Sequence, residues 1–123
     1  MREAGERIAL IFHEKAVINT ITKDVQVLNR EDIKSTGYVY DTLLASIWCV
    51  YHSKSYKEAV LTAVNLGGDC DTIGLVTGHI SALYYSINKK SFTPVVPMKW
   101  IGDLKNKKLI NELVDEFARK MSK

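Results

Sequence analysis

Apolar residues recur at helical spacing along most of this chain. Arg2 to Val17 reads as a helix with Ile8, Ile11 and Phe12 on one face. Tyr56 to Leu66 and Ile73 to Ile87 carry the same period, and Ser35 to Cys49 opens a further helix after Gly37 and Tyr38. Near the C-terminus Leu109, Ile110, Leu113, Val114 and Phe117 form a stripe expected to pack inward. From Ile18 to Leu28 two periods compete: Val25 and Val27 alternate as in a strand, whereas Ile18 and Ile21 keep helical spacing.

Local signals mark the ends of these segments. Ser55 at N-cap and Glu58 three residues on make a capping box for the helix that starts at Tyr56. Gly67 and Gly68 end it, because glycine takes the left-handed C-cap conformation without a Cβ clash. Gly74, Gly78 and Ala82 recur every four residues and leave a smooth face that a second helix can approach. Pro97 stands where a short helix can begin, and Asn106 can cap the last one.

The candidate chemistry lies between two of these helices, in Asn65-Leu-Gly-Gly-Asp-Cys-Asp-Thr72. Asp69, Asp71 and Thr72 fall together at the opening of the helix that follows, where the positive end of the dipole favours acidic groups. Oxygen donors gathered at one point are what a hard divalent cation such as Mg²⁺ or Ca²⁺ requires. An Asp at a helix start is more often a simple cap. A calcium loop of the EF-hand kind is a poor alternative, since its third acidic ligand and distal Glu are absent.

Length and composition narrow the class. The chain has 123 residues, a net charge of +3 and no apolar run long enough to suggest a membrane span. Its first residues are too charged to open a signal peptide, and two cysteines, Cys49 and Cys70, make no disulfide framework, so a cytoplasmic setting is expected. The basic residues Lys105, Lys107, Lys108, Arg119, Lys120 and Lys123 decorate terminal helices without a recognition motif, which reads as a solvated face and not a nucleic-acid surface. His13, His52 and His79 lack a ligand partner at matched spacing and read as satisfied or surface histidines.

Taken in order, Gly37-Tyr-Val-Tyr-Asp-Thr-Leu43, Ile47-Trp48, Ala59-Val60, Ala63-Val-Asn-Leu-Gly-Gly-Asp-Cys-Asp-Thr72, Gly78, Tyr84-Tyr85 and Pro97-Met-Lys-Trp100 resemble the ADP-ribosylglycohydrolase family, typified by dinitrogenase-reductase-activating glycohydrolase. The resemblance is to its C-terminal portion and is strongest over residues 35–104, within a single helical domain spanning 1–123. It implies an all-α fold, an orthogonal helical bundle forming part of an ADP-ribosylglycohydrolase-like domain, with a loop and some helix over residues 18–28. It also implies hydrolysis of ADP-ribosyl linkages at a binuclear Mg²⁺ or Mn²⁺ site. Asp69, Asp71 and Thr72 are the metal ligands it implies. Gly37, Tyr38, Gly67, Gly68 and Tyr85 are the substrate-binding candidates for ADP-ribose or an ADP-ribosylated substrate.

Two departures qualify that resemblance. The Gly-Asp-Ala-type and Thr-Asp-Asp-type segments of the family's N-terminal half do not appear, and Asp24, Glu31 and Asp32 are better explained as loop positions. No residue is assigned as the catalytic base. The Ser86–Val96 segment is longer than the family's usual link to its Pro-x-x-Trp helix. The isolated chain is therefore expected to be a poor or inactive enzyme, completed by another chain or associated as a homodimer. The alternative is a non-catalytic ADP-ribose or nucleotide-binding or helical oligomerisation module.

Overall fold

The computed structural model describes residues 15–87 and 95–122, and the side chains from residue 21 onward. Within them the order is α1 (Lys15–Val27), a 3-10 turn (Arg30–Asp32), α2 (Val39–Tyr51), α3 (Tyr56–Val64), α4 (Cys70–Ile87), α5 (Met98–Gly102) and α6 (Lys107–Met121). Every element among the described residues is helical, as the apolar period predicts. The expected inward face of Ile8, Ile11 and Phe12, together with His13, lies outside the described residues, as does most of the Ser86–Val96 segment.

The competition between periods in residues 18–28 resolves as helix. Ile21 and Val25 are buried and Leu28 is packed beside them, the i, i+4, i+7 set, while Val27 points to solvent at 73% exposure. The strand-like alternation of Val25 and Val27 was thus a coincidence of two valines on opposite faces. The helix ends against α2: the Trp48 indole N–H donates to the Leu28 carbonyl at 2.9 Å, and the His52 ring meets the Val25 carbonyl at 2.9 Å. Those contacts satisfy carbonyls that a helix end would otherwise leave orphaned.

α4 is the central helix, packed against both α2 and α3. Its small residues set the spacing to α3. A Cβ on Gly74 would stand 2.9 Å from the Val64 side chain, and one on Gly78 would stand 3.5 Å from the Tyr56 hydroxyl. Ala45, Trp48, Cys49, Ala63 and Ile73 fill the space between the three helices, joined from below by Ile21, Val25 and Ile33. Ser46 donates to the Ile73 carbonyl at 3.3 Å, and Ser81 to the Thr77 carbonyl at 2.7 Å, so these buried hydroxyls do not disturb the packing.

Three expectations change. The α6 stripe does not pack inward: Leu109, Leu113, Val114 and Phe117 are each more than half exposed, and none of α6 is buried. Periodicity specifies which residues share a face and not what covers it. Asn106 adopts φ 57°, ψ 29° and makes no side-chain cap, serving α6 instead through its carbonyl, which accepts from the Ile110 N–H. In the α3 capping box Ser55 accepts from the Glu58 N–H at 3.2 Å as expected, but the Glu58 carboxylate reaches one residue further back, to the Lys54 N–H at 2.8 Å. Among the described residues no helix is long and apolar enough to cross a membrane.

Candidate metal centre

The turn from α3 to α4 is built by its glycines. Gly67 and Gly68 have φ of 78° and 58°, the left-handed region that glycine enters freely. A Cβ on Gly68 would lie 2.2 Å from the Ser35 carbonyl oxygen, so the segment before α2 lies directly against this turn. The two are stitched together: the Asp69 N–H donates to the Ser35 carbonyl at 3.3 Å, and the Ser35 hydroxyl donates to the Gly67 carbonyl.

Asp69 directly precedes α4, and its carbonyl accepts from the Ile73 N–H, closing the first helical turn. Its carboxylate takes a hydrogen bond from the Thr72 hydroxyl, with Oδ1 and Oγ1 3.0 Å apart. Asp71, in the first turn, is exposed. Gly37 stands beside the other carboxylate oxygen; a Cβ there would be 3.8 Å from Asp69 Oδ2. The fold thus brings Gly37, Gly67, Gly68, Asp69 and Thr72 to one place although thirty residues separate the two turns.

Asp69 and Thr72, hydrogen-bonded to each other, present the oxygen donors that hard cations take. Neighbouring ligands on an octahedral ion with metal–oxygen distances of about 2.1 Å are about 3.0 Å apart, which is the Asp69–Thr72 spacing. Among the described residues, however, no group of three or more His, Cys, Asp or Glu side chains is placed to hold a metal. Asp24 and Asp32 are engaged elsewhere, accepting from the Tyr40 hydroxyl at 3.1 Å and the Asn29 N–H at 2.9 Å. Two surface clefts, one of about 510 Å³ beside Arg30 and Lys57 and one of about 310 Å³ over Gly74 and Gly78, include none of Asp69, Asp71 and Thr72. In the acidic turn Asp71 and Thr72 are exposed and Asp69 is half-buried.

Of the remaining candidates, Tyr38 is adjacent to the turn. Its N–H donates to Thr36 Oγ1 at 3.1 Å and the residue is 64% exposed. Tyr85 is not brought there. It lies fifteen residues along α4 from Cys70, about 22 Å at 1.5 Å per residue, and its hydroxyl donates to the Ser53 carbonyl at 2.8 Å. Burial pushes the Tyr85 hydroxyl pKa up, with lesser contributions from Tyr84 and Glu58. His52 and His79 each meet a backbone carbonyl, at 2.9 and 2.8 Å, as satisfied histidines do.

Sequence reasoning passed over Ser35, Thr36, Asp41 and Arg30. Thr36 donates to Asp41 Oδ2 at 2.6 Å, fixing the turn that carries Gly37. A carboxylate at the third position of α2 is a signal for such a contact. Arg30 donates through one guanidinium nitrogen to the Asn65 and Leu66 carbonyls, at 3.1 and 3.4 Å, a long-range contact with no local signature.

Comparison with known proteins extends this picture. The model of the ADP-ribosylglycohydrolase family matches residues 3–123. An ADP-ribosylarginine hydrolase Tri1 of Serratia proteamaculans is 33% identical over 88 residues, which are 72% of this chain and 22% of that protein. The protein of the same name from Pseudomonas putida is 31% identical over 89 residues, again 72% and 22%. An ADP-ribosyl-[dinitrogen reductase] glycohydrolase of Rhodospirillum rubrum is 26% identical over 84 residues, 67% of this chain and 26% of that protein. The match thus spans about a quarter or less of each of these relatives. No solved structure matches the chain. With a family model that covers nearly all of the sequence, including the Gly-Gly-Asp-x-Asp-Thr turn and the Gly-Tyr turn that the fold sets beside it, the chain belongs to the ADP-ribosylglycohydrolase family.

Proposed function

We propose that this chain contributes one side of a Mg²⁺ or Mn²⁺ site in an enzyme that hydrolyses ADP-ribosyl linkages. The observation that carries the reading is the Asp69–Thr72 oxygen pair at the mouth of α4, held against the Gly37 turn. In this reading Asp69 and Thr72 bind the ion from the helix end, and Asp71 adds a second carboxylate from the first turn. A divalent ion there supplies water activation and neutralisation of charge at the reacting centre. The backbone at Gly37, where a Cβ would meet only Asp69 Oδ2 at 3.8 Å, and at Gly67, where it would meet nothing within 4 Å, leaves room for a substrate beside the carboxylate, and the exposed Tyr38 offers an aromatic face for adenine.

The relatives' names include an ADP-ribosylarginine hydrolase and a dinitrogen reductase glycohydrolase. An ADP-ribosylated protein is accordingly the proposed substrate class. Two carboxylates and a hydroxyl are too few to offset two dications. The remaining ligands come, in this proposal, from polypeptide beyond these 123 residues, on the same or another chain. The exposed apolar stripe of α6 gives such a partner a surface to cover. A homodimer through the same stripe is the competing arrangement, and sedimentation separates the two.

The test is reconstitution. With the remainder of the family domain supplied, metal-dependent release of ADP-ribose should appear and should be lost in Asp71→Asn. Full activity in that variant would sink the ligand assignment.

A further inference from the structure

The site turn carries two consecutive glycines in the left-handed region, and Gly67 has nothing within 4 Å of where a Cβ would stand. Such a turn has much conformational freedom to lose. It follows a helix of only nine residues, whose Leu61 and Ala63 carbonyls are capped locally by Asn65 and Leu66 while the Asn65 and Leu66 carbonyls lie beyond its last turn. Something outside α3 must hold the turn if Asp69 is to keep a fixed position.

Arg30 is placed to do so. Its guanidinium Nη2 donates to both the Asn65 and the Leu66 carbonyls, bringing a positive charge to the C-terminal end of α3, where the helix dipole favours it. The residue projects from an anchored base. The 3-10 turn Arg30–Asp32 is closed by the Asn29 N–H donating to Asp32 Oδ2 at 2.9 Å. On one side Leu28 is tied to Trp48, and on the other Ile33 is buried in the core. Five residues after Arg30, the same segment reaches Ser35, which bonds to Gly67 and Asp69. The site turn is therefore gripped at 65–66 by Arg30 and at 67–69 by Ser35.

We infer that Arg30 is a positioning residue for the Asp69–Thr72 ligand pair, acting by fixing the Asn65–Leu66 carbonyls from which the Gly-Gly turn departs. The inference rests on the proposed metal reading for its functional consequence, but its structural half stands alone.

Arg30→Ala and Arg30→Lys in the full chain test it with two readouts. The first is amide hydrogen exchange at Asn65, Leu66 and Asp69, each of which donates a backbone hydrogen bond. The second is Mn²⁺ affinity by electron paramagnetic resonance. Arg30→Ala should speed exchange at those three amides at least tenfold, leave α2 amides within twofold, and weaken Mn²⁺ binding at least fivefold. Guanidinium ion at non-denaturing concentration should restore part of both losses. Arg30→Lys keeps the charge on a shorter side chain without the planar guanidinium, and should fall between the wild type and Arg30→Ala.

Unchanged exchange in the turn, or equal acceleration along the whole chain, would overturn the tether. A loosened turn with unaltered Mn²⁺ affinity would overturn the positioning role. Absence of Mn²⁺ binding in the wild type would instead overturn the metal reading, leaving exchange to decide whether Arg30 holds the turn.

Discussion

Replacing Gly68 by alanine perturbs the junction on which the site depends. The new Cβ would lie 2.2 Å from the Ser35 carbonyl oxygen and 3.1 Å from its hydroxyl, with φ fixed at 58°. The left-handed conformation alone costs a non-glycine residue about 1–2 kcal/mol. The clash is with backbone, so the two turns must part and the Asp69 N–H to Ser35 bond must lengthen, a loss of about 0.5–1.5 kcal/mol. Gly67 is the internal control: its φ is 78° but no atom lies within 4 Å. Gly67→Ala should therefore cost only the conformational term, offset by about 0.4–1 kcal/mol of reduced unfolded-state entropy that both variants share. Summing those terms, the expected cost is about 0–1.5 kcal/mol for Gly67→Ala and about 0.5–3 kcal/mol for Gly68→Ala, with Gly68→Ala the larger by the hydrogen-bond term of about 0.5–1.5 kcal/mol. Urea denaturation of the three proteins reads the difference from the shift in midpoint. Equal midpoints for the two variants would refute the claim that the Ser35 segment lies against the turn.

Burial pushes the Cys49 thiol from its ordinary 9.0 up to about 12, with Arg30 opposing slightly. Because the folded state raises this pKa, the thiol's contribution to stability is complete below pH 9 and is lost as pH rises toward 12. At pH 8 a maleimide should modify the half-buried Cys70 well before the buried Cys49, which mass spectrometry of the labelled peptides will show. Leu113→Gln and Phe117→Gln should change stability by no more than about 0.5 kcal/mol, since these side chains are 57% and 66% exposed. A loss of several times that in denaturation would show that the α6 stripe is covered in solution.

Among the described residues, helices were legible in the long apolar periods of 35–49, 56–66 and 73–87, and the Gly-Gly turn was legible because two adjacent glycines have few other uses. Residues 18–28 were not, because Val25 and Val27 satisfy a strand template by accident and only burial separates them. The α6 stripe was read correctly as a face and wrongly as a buried one, since a stripe carries no information about its partner. Within the site, Gly37 and Asp69 could be set side by side in advance only by resemblance, the contact between them being tertiary. Tyr85 matched the family motif, yet helix geometry puts it at the far end of α4. Arg30 and Ser35 were missed because both act over more than thirty residues, through hydrogen bonds to backbone groups that every residue possesses.

The most direct test of the central claim is thermal unfolding with and without Mg²⁺ and ADP-ribose, repeated on Asp69→Asn/Asp71→Asn. A ligand that binds only the folded state stabilises it by about 2.7 kcal/mol at a hundred times its dissociation constant. The account predicts a rise in Tm that requires both metal and nucleotide and disappears in the double variant. An equal rise in both proteins, or none in the wild type, would contradict the assignment of Asp69 and Asp71 as ligands in this chain.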